Sequence, residues 1–490
     1  MSLLDEDTTS RDRPVDASGR AGRIAAAAAL VALFGFYAAS IPGIRLANEG
    51  SHYALVRSLA DGRVSIDRYV AYSRRIDLAS REGHDYANKA PGTAALALPM
   101  YLAGRTFAGP DADNRLPARP QTDRRSPSNL RVPPAEEYAA GLIAPLSGVV
   151  LVALSFVFAR ALGASAAPAW GVAFAIGLGT MVWRYSTQIF SHVPAAAALM
   201  GAMVLAVKLI DGGSRRSAVL LGFALGCAVA IDYPTALPAA AIVIVVLAYR
   251  GRRVPGDIAA LLAGAALPVA LLALYQWRAF GSPFSPSYRF DRHLYARSFG
   301  TAYSEPVTNI VRLLFDGPRG LVPWNPLLLA APFGIASLWR AGRRYAVLVL
   351  AATIPLLLLQ STYREWFGGA TQDSRFLITI IPILVAPVAV MITRASARRA
   401  AIATGVAALA VAGCALQAVR LLISGWHRPR FSGLAPFVQD NVVHAGRWLE
   451  AAAAAAFPSV RYAPLTLAAA LAVAVFWLAA IELRRRPRTS

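Results

Sequence analysis

The chain is poor in charge and in cysteine, and each shortage closes off a class of protein. Only 16% of its 490 residues are charged, while 56% are hydrophobic. A soluble domain is nearer one quarter charged. Several apolar runs reach the roughly 20 residues that cross a ~30 Å hydrocarbon core as a helix. A soluble enzyme and a disordered chain are thereby excluded. So is a transmembrane β-barrel, whose strands alternate apolar and polar over roughly 10 residues. The two cysteines, Cys227 and Cys414, fall inside apolar runs and support neither a disulfide framework nor a thiolate metal site. No nucleotide-binding glycine loop, HExxH or CxxC occurs, which removes soluble-type NTPase and zinc-protease readings. No metal and no cofactor is expected.

What the chain has in excess is arginine, for a formal net charge of +22. The clusters sit in short gaps between apolar runs: Arg215–Arg216, Arg250–Arg253, Arg340–Arg344, Arg394–Arg399 and Arg484–Arg488. Lys and Arg beside span ends mark cytoplasmic loops. The charge therefore sets topology and calls for no nucleic-acid partner. The first 20 or so residues carry Asp5, Glu6, Asp7 and Arg11 and do not begin like a secretory signal. Arg20 and Arg23 then precede the first run, which predicts a cytoplasmic N-terminus and an uncleaved first span.

The pattern predicts an all-α polytopic membrane protein of about twelve spans. They are Ile24–Ile44, Ala139–Leu162, Pro168–Trp183, Ile189–Leu209, Ala218–Ile231, Thr235–Tyr249, Asp257–Tyr275, Leu321–Leu338, Ala346–Leu359, Phe376–Ile392, Ala400–Ile423 and Tyr462–Leu483. An even count puts both termini and every Arg cluster inside. Residues 1–23 form a polar cytoplasmic tail, 24–483 one transmembrane domain and 484–490 a basic cytoplasmic tail. The apolar stretch within Ala90–Ala108 is broken at Pro99 and is read as interfacial, since a further span there would invert every later loop. Polar mass then gathers on the outer face, mostly in a long first loop, 45–138, that carries interfacial helices. Within it Gly109–Pro134, rich in Pro, Arg, Asp and Ser, reads as a mobile insertion.

Chemistry is sought on that outer face. After the first span, Tyr53, Val56, Leu59 and Ala60 recur at helical spacing with His52, Arg57, Ser58 and Asp61 facing elsewhere. This predicts an amphipathic helix in the outer interface. Asn48 is its expected N-cap, and Glu49 in the first turn is a carboxylate favoured by the helix dipole. Lys89 stands out because all but two of the 49 basic residues are arginine, the other lysine being Lys208. A compact ammonium at headgroup level suits a phosphate. His192, Asp232 and Arg375 lie at span ends, where polar groups facing a bundle interior are functional candidates. Tyr288, Phe290, Tyr295, Phe299 and Tyr303 form an aromatic outer loop able to stack on sugar or lipid, or simply to pack.

In this order, these motifs resemble the bacterial GT-C superfamily, the polyprenyl-phosphate-sugar-dependent glycosyltransferases of protein O-mannosyltransferase and aminoarabinose-transferase type. The resemblance runs from about Glu49 to Pro382. It rests on Asn48-Glu49 with Tyr53, Asn88-Lys89-Ala90-Pro91-Gly92, Trp183-Arg184-Tyr185 through His192-Val193-Pro194, and Tyr275-Gln276 with Phe280–Phe284 and Tyr288. Gly317–Pro326 and Trp366–Gly369 with Ser374-Arg375-Phe376 complete it. It implies a GT-C-like fold in the cytoplasmic membrane, with the active site facing the periplasm or cell exterior. The donor would be a polyprenyl-phosphate-linked sugar, and the acceptor a glycan, lipid or protein. Glu49 would be the catalytic carboxylate and Lys89 a ligand of the lipid phosphate. Arg375, His192, Asn48, Tyr53 and Arg57 would contact substrate. One position departs from the pattern: Asn48 stands where the family commonly has Asp.

The chemistry needs such groups. Glycosyl transfer passes through an oxocarbenium-like state, a base for the acceptor hydroxyl is worth about 10²–10⁴ in rate, and a fixed cation stabilises charge on the departing phosphate. Direct transfer inverts the anomeric centre. Two other classes fit twelve spans: a secondary transporter, for which midplane ionisable groups and repeated halves are expected, and a non-catalytic GT-C-like scaffold.

Overall fold

Apolar runs this long have one economical way to satisfy their backbone without water, and the chain takes it by becoming helical almost throughout. The computed structural model describes residues 17–108, 133–291, 306–424 and 457–485, apart from 318, 364, 372, 397 and 458. The segment read as a mobile insertion therefore lies almost wholly outside the described residues, as do Tyr295, Phe299 and Tyr303.

In chain order come α1 (Ala17–Ala39), α2 (Ala47–Ala60), a 3₁₀ turn Asp67–Ser73, strands β1 (Leu78–Arg81) and β2 (His84–Ala87), and α3 (Gly92–Arg105). Next are α4 (Ala135–Gly141), α5 (Ile143–Ala161), α6 (Ala166–Gly179), the short α7 (Val182–Tyr185), α8 (His192–Ile210), α9 (Arg215–Ile231), α10 (Ala236–Ala248) and α11 (Val254–Phe280). The last third holds helices Pro306–Phe315, Ala331–Ala341, Arg343–Ser361, Arg399–Ser424 and Ala463–Arg485, with Arg375–Arg394 built from a 3₁₀ stretch and two short proline-led helices. Each of the twelve apolar segments falls on a helix or a run of helical pieces. Among the described residues, seven helices are long and apolar enough, by length and composition, to cross a membrane.

Four differences from the sequence expectation have physical causes. α1 begins at Ala17 and the final helix runs to Arg485, so helix extends into both polar tails. The chain is not purely α: β1 and β2 pair antiparallel, with Arg81 opposite His84. Their two-residue loop, Glu82-Gly83, has φ of 51° and 81°, the left-handed pair that matches strand twist in a tight hairpin. Asn48 is not the N-cap of α2. Leu46 takes that place, and Glu49 satisfies the helix start by accepting the amides of Arg45 and Leu46, each at 2.8 Å. Nor does α2 keep the exposed polar face of an amphipathic helix. Every residue from Asn48 to Ser58 is buried, because the 3₁₀ turn covers one side, where Gly50 meets the Tyr72 carbonyl, and α3 covers another.

The bundle is densest where α9 and α11 lie together. Gly222 faces the Leu261 carbonyl and Gly264 the Val219 carbonyl, so the two backbones touch. Small residues permit this close approach. α8 packs on α5 and α9. The beginnings of α8 and the ends of α9 thus meet at one end of the bundle, where the hairpin also lies.

Candidate functional site

At that end, segments distant in sequence converge. The hairpin brings Asp77 and the Asn88-Lys89 pair together: Lys89 Nζ lies 3.5 Å from Asp77 Oδ1, and Asn88 Nδ2 lies at the same distance from that oxygen. Asn88 also donates to Asp291 Oδ2 at 3.2 Å, and a bridge between Ala79 and Asp291 ties the hairpin to the stretch after α11. Burial by itself would raise the Asp77 carboxyl. The charges of Lys89 and Arg375 and the Asn88 hydrogen bond outweigh it and hold Asp77 below the usual carboxylate range.

His52, one turn after Glu49 on α2, reaches the same cluster. It is wholly buried, and neither ring nitrogen has a hydrogen-bond partner among the described residues. Burial, with Lys89 and Arg375 adding positive charge, lowers its pKa to about 3. The ring is therefore a neutral group that can both donate and accept. His192 opens α8, with Nδ1 3.3 Å from Asp232 Oδ2. The buried guanidinium of Arg375 lies 5.1 Å from the Phe190 ring centre and 5.3 Å from that of Phe376, placing it over aromatic faces. Ser374, at φ 51°, turns the chain into it.

A second group adjoins through Arg184. Its Nη1 is 3.5 Å from Asp373 Oδ2, and Tyr185 and Thr371 donate their hydroxyls to the same carboxylate. Arg184 also lies close enough for its charge to act on Glu49. The Glu49 carboxyl is fully buried. Burial raises it above the ordinary carboxylate range, against the pull of the Arg45 and Leu46 amides and of the Arg45 and Arg184 charges. Its Oε2 is engaged by those amides, while Oε1 has no hydrogen-bond partner among the described residues.

Of the residues predicted from sequence, Lys89, Arg375 and His192 come together, and Glu49 borders them across Arg184 and His52. Asn48 is buried in the first turn of α2. Tyr53 and Arg57 face elsewhere: Tyr53 packs edge-on against Tyr72 and Tyr101, and Arg57 donates to the Tyr72 hydroxyl at 3.0 Å with its guanidinium 4.2 Å from the Tyr69 ring centre. Tyr288 packs on Tyr233 and Phe290 on Phe280. Asp77 and Asp291 escaped the sequence reading. The Glu82-Gly83 turn was the available signal, since a hairpin there sets Asp77 across from Asn88. Among the described residues no group of three or more His, Cys, Asp or Glu side chains is placed to hold a metal ion.

At the level of the fold, this helical architecture agrees with what the motif resemblance implies. In particular, the chain has the fold of the aminoarabinose transferase ArnT of Cupriavidus metallidurans. The apo form of ArnT aligns over 93% of this chain and 76% of that one, with a TM-score of 0.52 and 17% identity. The form bound to undecaprenyl phosphate aligns over 92% and 76%, with a TM-score of 0.51 and 17% identity. The oligosaccharyltransferase AglB of Archaeoglobus fulgidus, solved with an inhibitory peptide and a dolichol-phosphate, covers 89% of this chain and 56% of its own at a TM-score of 0.43 and 11% identity. No family model and no curated protein matches the sequence.

Proposed function

We propose that the protein is a membrane glycosyltransferase of about twelve spans that moves a sugar from a polyprenyl-phosphate carrier to a hydroxyl acceptor on the outer face of the cytoplasmic membrane. The observation that carries this reading is the meeting of half-buried Lys89 with buried Arg375 and His192 beside the start of α2, on an ArnT-like fold.

In this reading Lys89 and Arg375 hold the lipid phosphate, where negative charge grows as the glycosidic bond breaks. Asp77 fixes the direction of the Lys89 ammonium, and the rings of His52 and His192 offer hydrogen bonds to the sugar or the phosphate. The acceptor oxygen bonds to the anomeric carbon as the carbon–phosphate oxygen bond breaks, and the leaving phosphate keeps the electron pair. The acceptor proton passes to Oε1 of Glu49, whose raised proton affinity suits a base working near neutral pH. A single displacement inverts the anomeric centre. Tyr53, Arg57 and Asn48 serve by fixing α2, with the tyrosine packing of Tyr53 and Arg57 as anchor. One observation favours a non-catalytic scaffold instead: the Glu49 carboxylate already caps its helix.

A deletion strain carrying wild type, Glu49→Gln or Lys89→Ala separates the two. Polyprenyl-phosphate sugars and surface glycans are profiled by mass spectrometry. Accumulation of a lipid-linked monosaccharide, with one glycan short of a residue, is expected in both variants. Profiles indistinguishable from wild type in both would leave a transporter or scaffold as the better reading.

A further inference from the structure

The other end of α8 and α9 has a cavity of its own. α8 carries His192 at one end and Ile210 at the other, about 28 Å away for 19 helical residues. Beyond Ile210 the turn into α9 lies beside the turn from α10 into α11, because α9 and α11 are held together by Gly222 and Gly264. Between these turns is a cleft of about 410 Å³, lined among others by Ser214, Arg215, Arg250, Arg253, Gly256 and Asp257.

Its charges are not equivalent. Arg250 is buried and forms the floor, with Nε and Nη2 on the two Asp257 oxygens at 2.6 and 3.2 Å and Nη1 on the Leu209 carbonyl at 3.0 Å. That pair is internally neutral and rigid. Arg215 and Arg253 are exposed at the walls, and neither is ion-paired among the described residues. The Arg215 guanidinium lies against Gly256, where a side chain would press on it, so the missing Cβ leaves room for it at the cleft. Ser214 makes no side-chain bond to the first turn of α9, so its hydroxyl is available as well. Topology accounts for arginines at this end. It does not account for two that have no carboxylate partner among the described residues, Arg253 reaching only the Gly212 carbonyl at 3.4 Å, flanking a cleft whose floor is already neutralised.

We infer that this cleft binds a phosphate group, that of an anionic phospholipid headgroup, at the end of the bundle opposite the candidate active site. Arginine forks match phosphate oxygens, and basic pockets between spans hold lipid headgroups. The neighbouring face of α11 favours a lipid as the source, since Ile258, Leu262 and Val269 are exposed along it where acyl chains would lie. The inference stands apart from the transferase reading.

The test uses the full-length protein in detergent, titrated with mixed micelles of phosphatidylglycerol or phosphatidylcholine and, separately, with inorganic phosphate. Phosphatidylglycerol is expected to bind more tightly than phosphatidylcholine, and Arg215→Gln/Arg253→Gln to weaken it about tenfold or more. Arg216→Gln, next along α9 but not lining the cleft, should leave it unchanged. If the double variant folds poorly, each single variant should show a smaller loss of the same kind. Displacement of phosphatidylglycerol by millimolar phosphate, with phosphate alone showing the same arginine dependence, supports the phosphate site and makes the free ion its source. Equal binding of the two lipids, or binding untouched by the arginine substitutions, overturns the inference.

Discussion

Tyr185 donates its hydroxyl to Asp373 at 2.9 Å across 188 residues of sequence. The same carboxylate meets Arg184 and Thr371, and Arg184 in turn acts on Glu49. Asp373 touches none of the proposed reacting atoms, yet it decides where a cation beside the proposed base can stand.

Removing it should be costly. Asp373→Ala leaves the Arg184 guanidinium buried without its carboxylate, a loss of about 3–5 kcal/mol. Asp373→Asn keeps a partner for the two hydroxyls and should lose less. Thermal melts in detergent give the order, and an alanine variant that melts like wild type would dismiss Asp373 as a holder of Arg184.

Glu49 does two jobs that substitution can separate. Glutamine also caps from the third helical position, so Glu49→Gln should keep stability within about 1 kcal/mol while transfer falls about 100-fold or more. Glu49→Ala should lose both. Full transfer by the glutamine variant, with a normal melt, would reduce Glu49 to a cap.

His52 makes stability depend on pH. Its folded pKa is lowered to about 3 from the ordinary 6.5. The unfolded chain therefore binds a proton below about pH 6.5 that the folded protein refuses until about pH 3. Its contribution is complete above pH 6.5 and is lost as pH falls through that window, by up to about 1.4 kcal/mol per pH unit. Melts at pH 7 and pH 5 should differ less in His52→Gln than in wild type. Identical differences would show that the ring is not the titrating group.

Two glycines should respond in opposite senses. A Cβ at Gly264 would strike the Val219 carbonyl, whereas one at Gly171 meets nothing within 4 Å. Gly264→Ala should cost about 1–3 kcal/mol, while Gly171→Ala, inside α6, should be neutral or gain about 1 kcal/mol. Equal effects on the melt would contradict the backbone contact between α9 and α11.

The helices were legible because hydrocarbon length and composition alone require them, and Lys89 and Arg375 stood out by residue type and place. The surroundings of α2 were not legible. A helix with polar residues on several sides reads as half-exposed, and nothing local announces that the 3₁₀ turn and α3 cover it. The N-cap went to Leu46 for a similar reason: the Glu49 carboxylate reaches back to the Arg45 and Leu46 amides and sets the helix start there, which leaves Asn48 inside the first turn. Asp77 and Asp291 became visible only with the hairpin, since their partners are set by folding and not by spacing.

The site also has an order of assembly. Synthesis delivers His52, Asp77 and Lys89 within one short stretch, and Arg375 follows only after most of the chain. The 3.5 Å approach of Lys89 to Asp77 lies within the first-made segment, so it can neutralise the lysine's charge before the later elements insert. The hairpin thus supplies its own lysine with a counter-charge from within the same short stretch of chain.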